Sequence, residues 1–143
     1  MANMAQAIRL ALHYGEENLG VKEIFGEDVG APLGGVFTAT QGLKNAWNSP
    51  LDERGIVGAA MGLAWAGSRP VAEIQFVDYI FNVIDLLKLC GNAHWTSAGR
   101  YKTARMIGGK LSHWRPITGF PPPRSCRPLP ITMLTAAQFF RLI

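Results

Sequence analysis

The sequence predicts an α/β fold in which a parallel sheet is flanked by helices. Two observations support this class: helical and strand-like apolar spacing alternate along residues 3–99, and a glycine-rich loop follows the first strand candidate. The predicted order is helix, strand, helix, helix, strand, helix. With 143 residues, 48% of them apolar, the chain is long enough to form one domain with its own core.

The first elements follow from apolar spacing and from glycine. A helix is predicted over residues 3–18, because apolar residues recur every three or four positions, namely Met4, Ala7, Ile8, Ala11 and Leu12. Gly20 interrupts this pattern, and residues 21–25 form a short strand candidate. The loop over residues 26–30 then lies at the carboxyl end of that strand, where open α/β sheets commonly carry sites. Residues 38–47 predict a second, short helix.

A third helix is predicted to begin at Ser49. Its hydroxyl can cap free amides, Pro50 suits the first helical position, and Asp52 places an acid in the first turn. Glu53 would lie one turn inside, at the mouth of an almost uncharged apolar segment. An acid in that position can be shielded from water and used to hold or transfer a proton, so Glu53 is the leading candidate for a catalytic residue.

Three glycines of this helix, Gly55, Gly58 and Gly62, are spaced by three and four and share one face. Glycine weakens a helix interior by roughly 0.5–1 kcal/mol relative to alanine, so this face suggests close approach of another backbone or a flat ligand. A plain packing role for a buried helix is the alternative. Residues 70–76 predict the second strand, and residues 79–89 predict a helix that is apolar nearly all round and therefore buried.

Charge divides the chain into two parts. Residues 1–99 carry six Lys or Arg against all ten acids, a net −4, whereas residues 100–143 carry eight Lys or Arg and no acid, a net +8. We predict an incomplete domain over residues 3–99 and a basic, proline-rich tail over residues 100–143. The tail is interpreted as disordered or as a frame-shifted continuation. Binding of nucleic acid by its basic and aromatic residues is a weaker alternative, because no nucleic-acid motif is present.

Several common functions find no support in the sequence. No apolar run approaches the roughly 18 residues that span a bilayer, and no leader pattern is evident, so a cytoplasmic protein without a membrane partner is expected. Cys90 and Cys126 are too far apart in sequence to form a metal or redox motif. The three histidines are scattered, which disfavours a metal site or a catalytic triad, and no nucleotide-binding fingerprint is present.

Four sequence blocks, taken in order, point to a family. They are Gly-Glu-Asp-Val-Gly from residue 26, Gly-Gly-Val-Phe from residue 34, Ser-Pro-Leu-Asp-Glu-Arg-Gly-Ile-Val-Gly from residue 49, and Ala-Glu-Ile-Gln-Phe-Val-Asp-Tyr-Ile-Phe from residue 72. Together they resemble the beta subunit of the thiamine-diphosphate-dependent 2-oxo acid dehydrogenases, in its pyrimidine-binding domain. The second and fourth blocks are similar to the branched-chain type. The resemblance implies a partial thiamine-diphosphate-binding domain.

The resemblance also implies roles for four residues. In the family, the acid that matches Glu53 faces a ring nitrogen of the cofactor's aminopyrimidine, and the proton it holds there promotes formation of the reactive carbanion. Leu51 matches a residue that lines the pyrimidine pocket, and Gln75 and Tyr79 match positions near cofactor and substrate. Burial of Glu53 against Ile56, Val57 and the glycine face would favour its protonated form. No role is assigned to Glu27 or Asp28 beyond shaping their loop.

The implied partners follow from the same family. The diphosphate and magnesium of the cofactor would be held by an alpha subunit within a heterotetramer, and the acyl group would pass to a lipoyl-bearing acyltransferase. The expected substrates are branched-chain 2-oxo acids of the 3-methyl-2-oxobutanoate type. The alternatives are a pyruvate dehydrogenase or transketolase-type pyrimidine domain and a non-catalytic truncated fragment. No active-site histidine can be assigned, and no strand is predicted after residue 99.

Overall fold

The computed structural model describes residues 4–32, 36–101, 105–108 and 133–134, with backbone alone for the last two ranges. Five parallel strands form one sheet in the order β2-β1-β3-β4-β5, which confirms the predicted α/β class with a parallel sheet. The strands are β1 (Glu23–Gly26), β2 (Ala46–Asn48), β3 (Pro70–Ile74), β4 (Arg105–Gly108) and β5 (Met133–Leu134). The helices are α1 (Met4–Asn18), α2 (Phe37–Thr40), α3 (Glu53–Trp65) and α4 (Ile84–Thr96), with a 3₁₀ segment over Val77–Val83.

Helices cover both faces of the sheet. On one face, Phe25 of β1 and Ile74 of β3 pack with α3 and α4 in a cluster that includes Ile56, Met61 and Cys90. On the other face, the buried residues are Leu12, Val21, Ile24, Val29 and Val71, with Ile8, Val36, Leu43 and Ala46 packed against them. Successive strand residues point to opposite faces, so β1 and β3 contribute to both clusters. All five residues of β3 are buried, as expected for a strand between two layers of helices.

The helix predicted over residues 3–18 is confirmed as α1, and the strand predicted over residues 21–25 is confirmed as β1, displaced by one or two residues. The helix predicted over residues 38–47 is wrong for most of its length. Only α2 is helical, Gly42 has a φ of +89°, and the chain then extends into β2. β2 pairs with β1 in the register Ile24 with Ala46, and this tertiary pairing overrides the weak helical spacing.

The helix predicted to begin at Ser49 begins later, at Glu53. Asp52 is its N-cap, because the Asp52 side chain accepts a hydrogen bond from the Arg54 backbone amide at 3.1 Å. Ser49 instead bonds its neighbour's carbonyl, from Oγ to the Pro50 oxygen. Glu53 therefore occupies the first helical position rather than a place one turn inside.

The glycine face of α3 points away from the sheet. Gly55, Gly58 and Gly62 are all exposed, and a Cβ added at Gly58 or Gly62 would meet nothing within 4 Å among the described residues. The opposite face packs on the sheet through Ile56, Val57, Ala60, Met61 and Ala64. Among the described residues nothing packs closely on Gly58 or Gly62, and the approach of a flat ligand or of another backbone to this face stays a prediction.

The helix predicted over residues 79–89 is also different. Residues 77–83 form a 3₁₀ segment, and α4 follows. Val83 and Cys90 are buried, whereas Phe81, Ile84 and Leu89 are each about half exposed. The expectation of a buried helix over residues 79–89 is therefore wrong for these three side chains. An apolar sequence does not itself show which faces a neighbour covers.

The sheet extends past residue 99, where no strand was predicted. β4 pairs with β3 in parallel, with Val71 opposite Arg105, and β5 pairs with β4. Most of the predicted tail, residues 102–104, 109–132 and 135–143, lies outside the described residues, and its interpretation stays a prediction. Within the part that the structure describes, no helix has the length and apolar character needed to cross a membrane.

Candidate functional site

A group of acidic side chains lies where β1 and β3 end. Glu27 and Asp28 directly follow β1, and Gln75 directly follows β3. Because both strands run in the same direction, these residues meet at the carboxyl edge of the sheet. Glu53, at the start of α3, is close enough for its charge to act on Glu27. We refer to Glu27, Asp28, Glu53 and Glu73 as the acidic edge.

Glu53 is half-buried and opens α3. The amino end of a helix carries a partial positive charge, which stabilises an acidic side chain in the first turn. The next residue, Arg54, is directed elsewhere, because its guanidinium bonds both carboxylate oxygens of Asp85 at 2.7 and 2.9 Å and the carbonyl of Asn82 at 3.1 Å. The positive charge of Arg54 is thus paired with Asp85 rather than with Glu53.

Glu73 is the most deeply placed acid. It is one of five buried residues of β3, with 5% of its surface exposed, and Glu27 is 8% exposed. The pKa of Glu73 is raised to about 7: burial is the largest cause, the nearby backbone amide of Glu27 acts against it, and the charges of Glu27 and Asp28 act with it. Burial also raises the pKa of Glu27, with the charges of Glu53 and Asp28 acting in the same direction. Neither carboxyl group accepts a hydrogen bond of normal distance and angle among the described residues, although the backbone amide of Glu27 lies near the Glu73 carboxyl group.

Gly26 makes room for Glu73. A Cβ added at Gly26 would lie 2.7 Å from the Cβ of Glu73 and 2.8 Å from its carbonyl oxygen, distances that real Cβ atoms do not show. Alternation along the strands places Gly26 and Glu73 on the same face as Ile24 and Val71. A glycine at the last position of β1 is therefore what allows an acid to lie in the adjacent strand.

Gln75 is tied to the loop that follows β1. Its side-chain amide donates a hydrogen bond of 2.5 Å to Asp28 Oδ2 in a part-buried setting. This bond links the ends of β1 and β3 through side chains and fixes where the Gln75 amide oxygen points. Asp28, to which the sequence assigned only a loop-shaping role, thus positions a predicted site residue.

The four predicted site residues differ in their surroundings. Glu53 and Gln75 are half-buried, whereas Leu51 is 82% exposed and Tyr79 is 39% exposed. Tyr79 packs edge-on against Phe76, with ring centroids 5.4 Å apart. The expected enclosure of Glu53 is not seen within the described residues, because Ile56 and Val57 point into the core and the glycine face is exposed. The roles of all four residues stay predictions.

Sequence reasoning missed Glu73 and gave Glu27 no function. A signal was present for each. Glu73 is a lone acid in the apolar stretch from Val71 to Ile74, where a charge would be buried on either face of a parallel sheet. Glu27 directly follows a buried strand, at the edge where sites form.

Comparisons with known proteins identify the family. Residues 2–109 match the transketolase pyrimidine-binding domain. A 2-oxoisovalerate dehydrogenase beta subunit 2 of Arabidopsis thaliana, which is mitochondrial, is 48% identical over 89 residues, covering 58% of this chain and 24% of that protein. A mitochondrial 2-oxoisovalerate dehydrogenase beta subunit of Dictyostelium discoideum is 40% identical over 122 residues, covering 78% of this chain and 32% of that protein.

A pyruvate dehydrogenase E1 component beta subunit of Staphylococcus aureus is 47% identical over 90 residues, covering 59% of this chain and 27% of that protein. The chain thus spans between 24% and 32% of the length of these relatives. The resemblance to beta subunits of 2-oxo acid dehydrogenases is confirmed. Because the family match includes β1, α3, β3 and the acidic edge between them, the chain belongs to the transketolase pyrimidine-binding-domain family.

Proposed function

We propose that this chain is the pyrimidine-binding part of the beta subunit of a decarboxylating 2-oxo acid dehydrogenase. The observation that carries the proposal is Glu53, a half-buried acid at the amino end of α3 on the carboxyl edge of the sheet, within the family match. Branched-chain 2-oxo acids of the 3-methyl-2-oxobutanoate type are the proposed substrates. Similarity to two 2-oxoisovalerate dehydrogenase beta subunits supports that choice.

The residues at the acidic edge fit the pyrimidine half of thiamine diphosphate. An aminopyrimidine presents ring nitrogens and an amino group, which need a proton-holding acid and hydrogen-bond acceptors. Glu53 supplies the acid, and the carboxyl group of Glu27 lies close enough for the two charges to interact. When bound, thiamine diphosphate supplies the carbanion chemistry that allows a 2-oxo acid to lose carbon dioxide.

In this proposal, Glu53 holds a proton at the pyrimidine ring nitrogen. A general acid or base of this kind contributes typically 10²–10⁴-fold to a rate, and it works best when its proton affinity is matched to the working pH. Gln75, held by Asp28, presents a fixed amide toward the cofactor or substrate. Leu51 is an exposed apolar side chain that can cover a flat ring, and Tyr79 offers a hydroxyl at the same edge.

The partners belong to the proposal as well. Among the described residues, no group of three or more His, Cys, Asp or Glu side chains is arranged to hold a metal ion. We propose that an alpha subunit holds the diphosphate and magnesium in a heterotetramer, and that a lipoyl-bearing acyltransferase accepts the acyl group. The cytoplasmic location expected from the sequence stays a prediction.

Co-expression with an alpha subunit tests the function. We expect decarboxylation of 3-methyl-2-oxobutanoate by the assembled pair, and a loss of 10²-fold or more in kcat with Glu53→Gln. Glu17→Gln is the matched control, because Glu17 is an exposed acid of α1. Equal activity in Glu53→Gln and wild type would refute the role of Glu53. Assembly without any decarboxylation of 2-oxo acids would favour a non-catalytic fragment.

Pyruvate is the second candidate substrate. Similarity to the pyruvate dehydrogenase beta subunit of Staphylococcus aureus, at 47% identity, supports pyruvate as a candidate. The ratio of kcat/KM for 3-methyl-2-oxobutanoate to that for pyruvate decides between the two. A ratio below one would replace the branched-chain assignment and leave the role of Glu53 untouched.

A further inference from the structure

Glu27 and Glu73 are two buried acids to which the proposed function assigns no proton transfer. Glu27 follows the last residue of β1, and Glu73 lies in β3 on the face that Gly26 shares. They are 8% and 5% exposed, respectively. The two carboxyl groups thus lie inside the fold, at the point where the neighbouring strands approach the carboxyl edge.

All four carboxyl oxygens of the pair are buried and accept no hydrogen bond of normal distance and angle among the described residues. A buried ionised carboxylate without a partner is very costly, and such a group normally takes up a proton instead. The charged groups that act on the pair are acids: Asp28 from the same loop and Glu53 from the start of α3. Each of these charges opposes ionisation, whereas the backbone amide of Glu27, which lies near Glu73, favours it.

The side chains on the other neighbouring elements do not offset this charge. Arg54 of α3 is engaged with Asp85, and Arg9 of α1 donates to the carbonyl of Thr38 in α2. His13 of α1 contacts the carbonyl of Gln41, and Asn48 at the end of β2 donates to the carbonyl of Gly30. No Lys, Arg or His side chain is among the groups that shift the pKa of Glu27 or Glu73, so within the described ranges a proton is the available counter-charge.

We propose that Glu27 and Glu73 together retain a proton in the folded domain at neutral pH, and that losing this proton weakens the junction between β1 and β3. The stability of the contact between β1 and β3 at the carboxyl edge of the sheet would then depend on the protonation of these two acids. The proposal concerns the folding of this chain, and it does not depend on the assigned reaction.

The direction of the effect follows from linkage. The pKa of Glu73 is about 7 in the fold, against 4.5 for an ordinary glutamate. Between those values, the unfolded chain has released this proton while the folded chain keeps it, so stability falls as pH rises. The contribution is fully present below about pH 4.5 and is lost as pH passes about 7. Over that window, the unfolding equilibrium constant should increase by about 300-fold at most.

The test compares urea unfolding of the full chain, as wild type and as Glu73→Gln, from about pH 5 to about pH 8. Glutamine keeps the size of the side chain and cannot ionise. We expect wild type to lose stability across this range, and we expect Glu73→Gln to lose most of that pH dependence. Glu17→Gln, a change at an exposed acid, should retain the wild-type slope. An unchanged slope in Glu73→Gln would overturn the proposal.

Infrared spectroscopy of wild type gives a second readout that does not depend on the folding of a variant. A protonated carboxylic acid has a carbonyl band that ionised carboxylates lack. We expect such a band to persist at about pH 6, where ordinary glutamates are ionised, and to disappear by about pH 8. Absence of the band at pH 6 in folded wild type would overturn the proposal, whatever the variant does.

Discussion

Replacing the outward glycines of α3 by alanine should stabilise the isolated chain. A Cβ at Gly58 or Gly62 would meet nothing within 4 Å among the described residues, so alanine brings no clash. Glycine costs about 1 kcal/mol relative to alanine in a helix interior. Each single variant should therefore gain about 0.5–1 kcal/mol in free energy of unfolding. Gly58→Ala combined with Gly62→Ala should gain about 1–2 kcal/mol if the effects add.

Gly55→Ala is the matched contrast on the same helix. Its Cβ would lie 2.7 Å from Asp52 Oδ2 and 3.2 Å from Asp52 Cγ, so the N-cap side chain has to move. An N-cap hydrogen bond is worth about 1 kcal/mol, which offsets the gain in helix propensity. We therefore expect no net stabilisation from Gly55→Ala.

Urea unfolding followed by circular dichroism measures all of these variants under one set of conditions. Midpoints that rise for Gly58→Ala and Gly62→Ala, with unchanged slopes, would support the reasoning. A loss of stability in either variant at low protein concentration would refute it. That result would mean that another part of the chain packs closely against this face.

Two further changes test other contacts. Gly26→Ala should destabilise the chain by about 1–3 kcal/mol or prevent folding, because its Cβ would lie 2.7 Å from the Cβ of Glu73. The control for urea unfolding is Gly91→Ala, where a Cβ would meet no atom of the described residues within 4 Å. Asp85→Asn should lower stability slightly at neutral pH, because the bond from Arg54 lowers the pKa of Asp85 below 3.8. That contribution is present above this pH and is lost as pH falls through the folded-state value, so wild type and Asp85→Asn should converge in acid. A difference that persists in acid would assign the effect to packing instead.

The sequence predicts elements well where a regular apolar pattern determines them. α1 follows from spacing by three and four, and its two ends agree with the prediction within one residue. β1 and β3 follow from short apolar runs between glycine, proline and polar residues. In each case, the local pattern and the tertiary contacts favour the same structure.

The prediction fails where a neighbour decides the structure. β2 is three residues long and exists because it pairs with β1, a contact that no local pattern reveals. The sequence predicted Ser49 as the cap of α3, whereas the N-cap is Asp52, whose side chain accepts a hydrogen bond from the Arg54 amide. Which faces of α3 and α4 are covered depends on the whole fold, so an apolar sequence over residues 79–89 could not predict that Phe81 is 57% exposed.

The candidate site shows the same limit. Glu53 could be selected from the sequence because an acid at a helix start is a local feature. The approach of Glu73 to Glu27 requires the parallel pairing of β1 with β3 and the small size of Gly26. The pairing, and the reason why residue 26 must be small, are evident only once the two strands are aligned.

The strand order also determines when this sheet can begin to form. β1 is synthesised first, but both of its neighbours follow it along the chain, and the more distant of the two pairings joins Ile24 to Val71. Closing so distant a contact is slow, because the entropy of the intervening loop is lost before the strands gain their bonds. A growing chain that has not yet reached Ile74 has only the three-residue β2 to pair with β1. Until then, one edge of β1 lacks its partner strand, which makes chaperone contact most useful at that stage of synthesis.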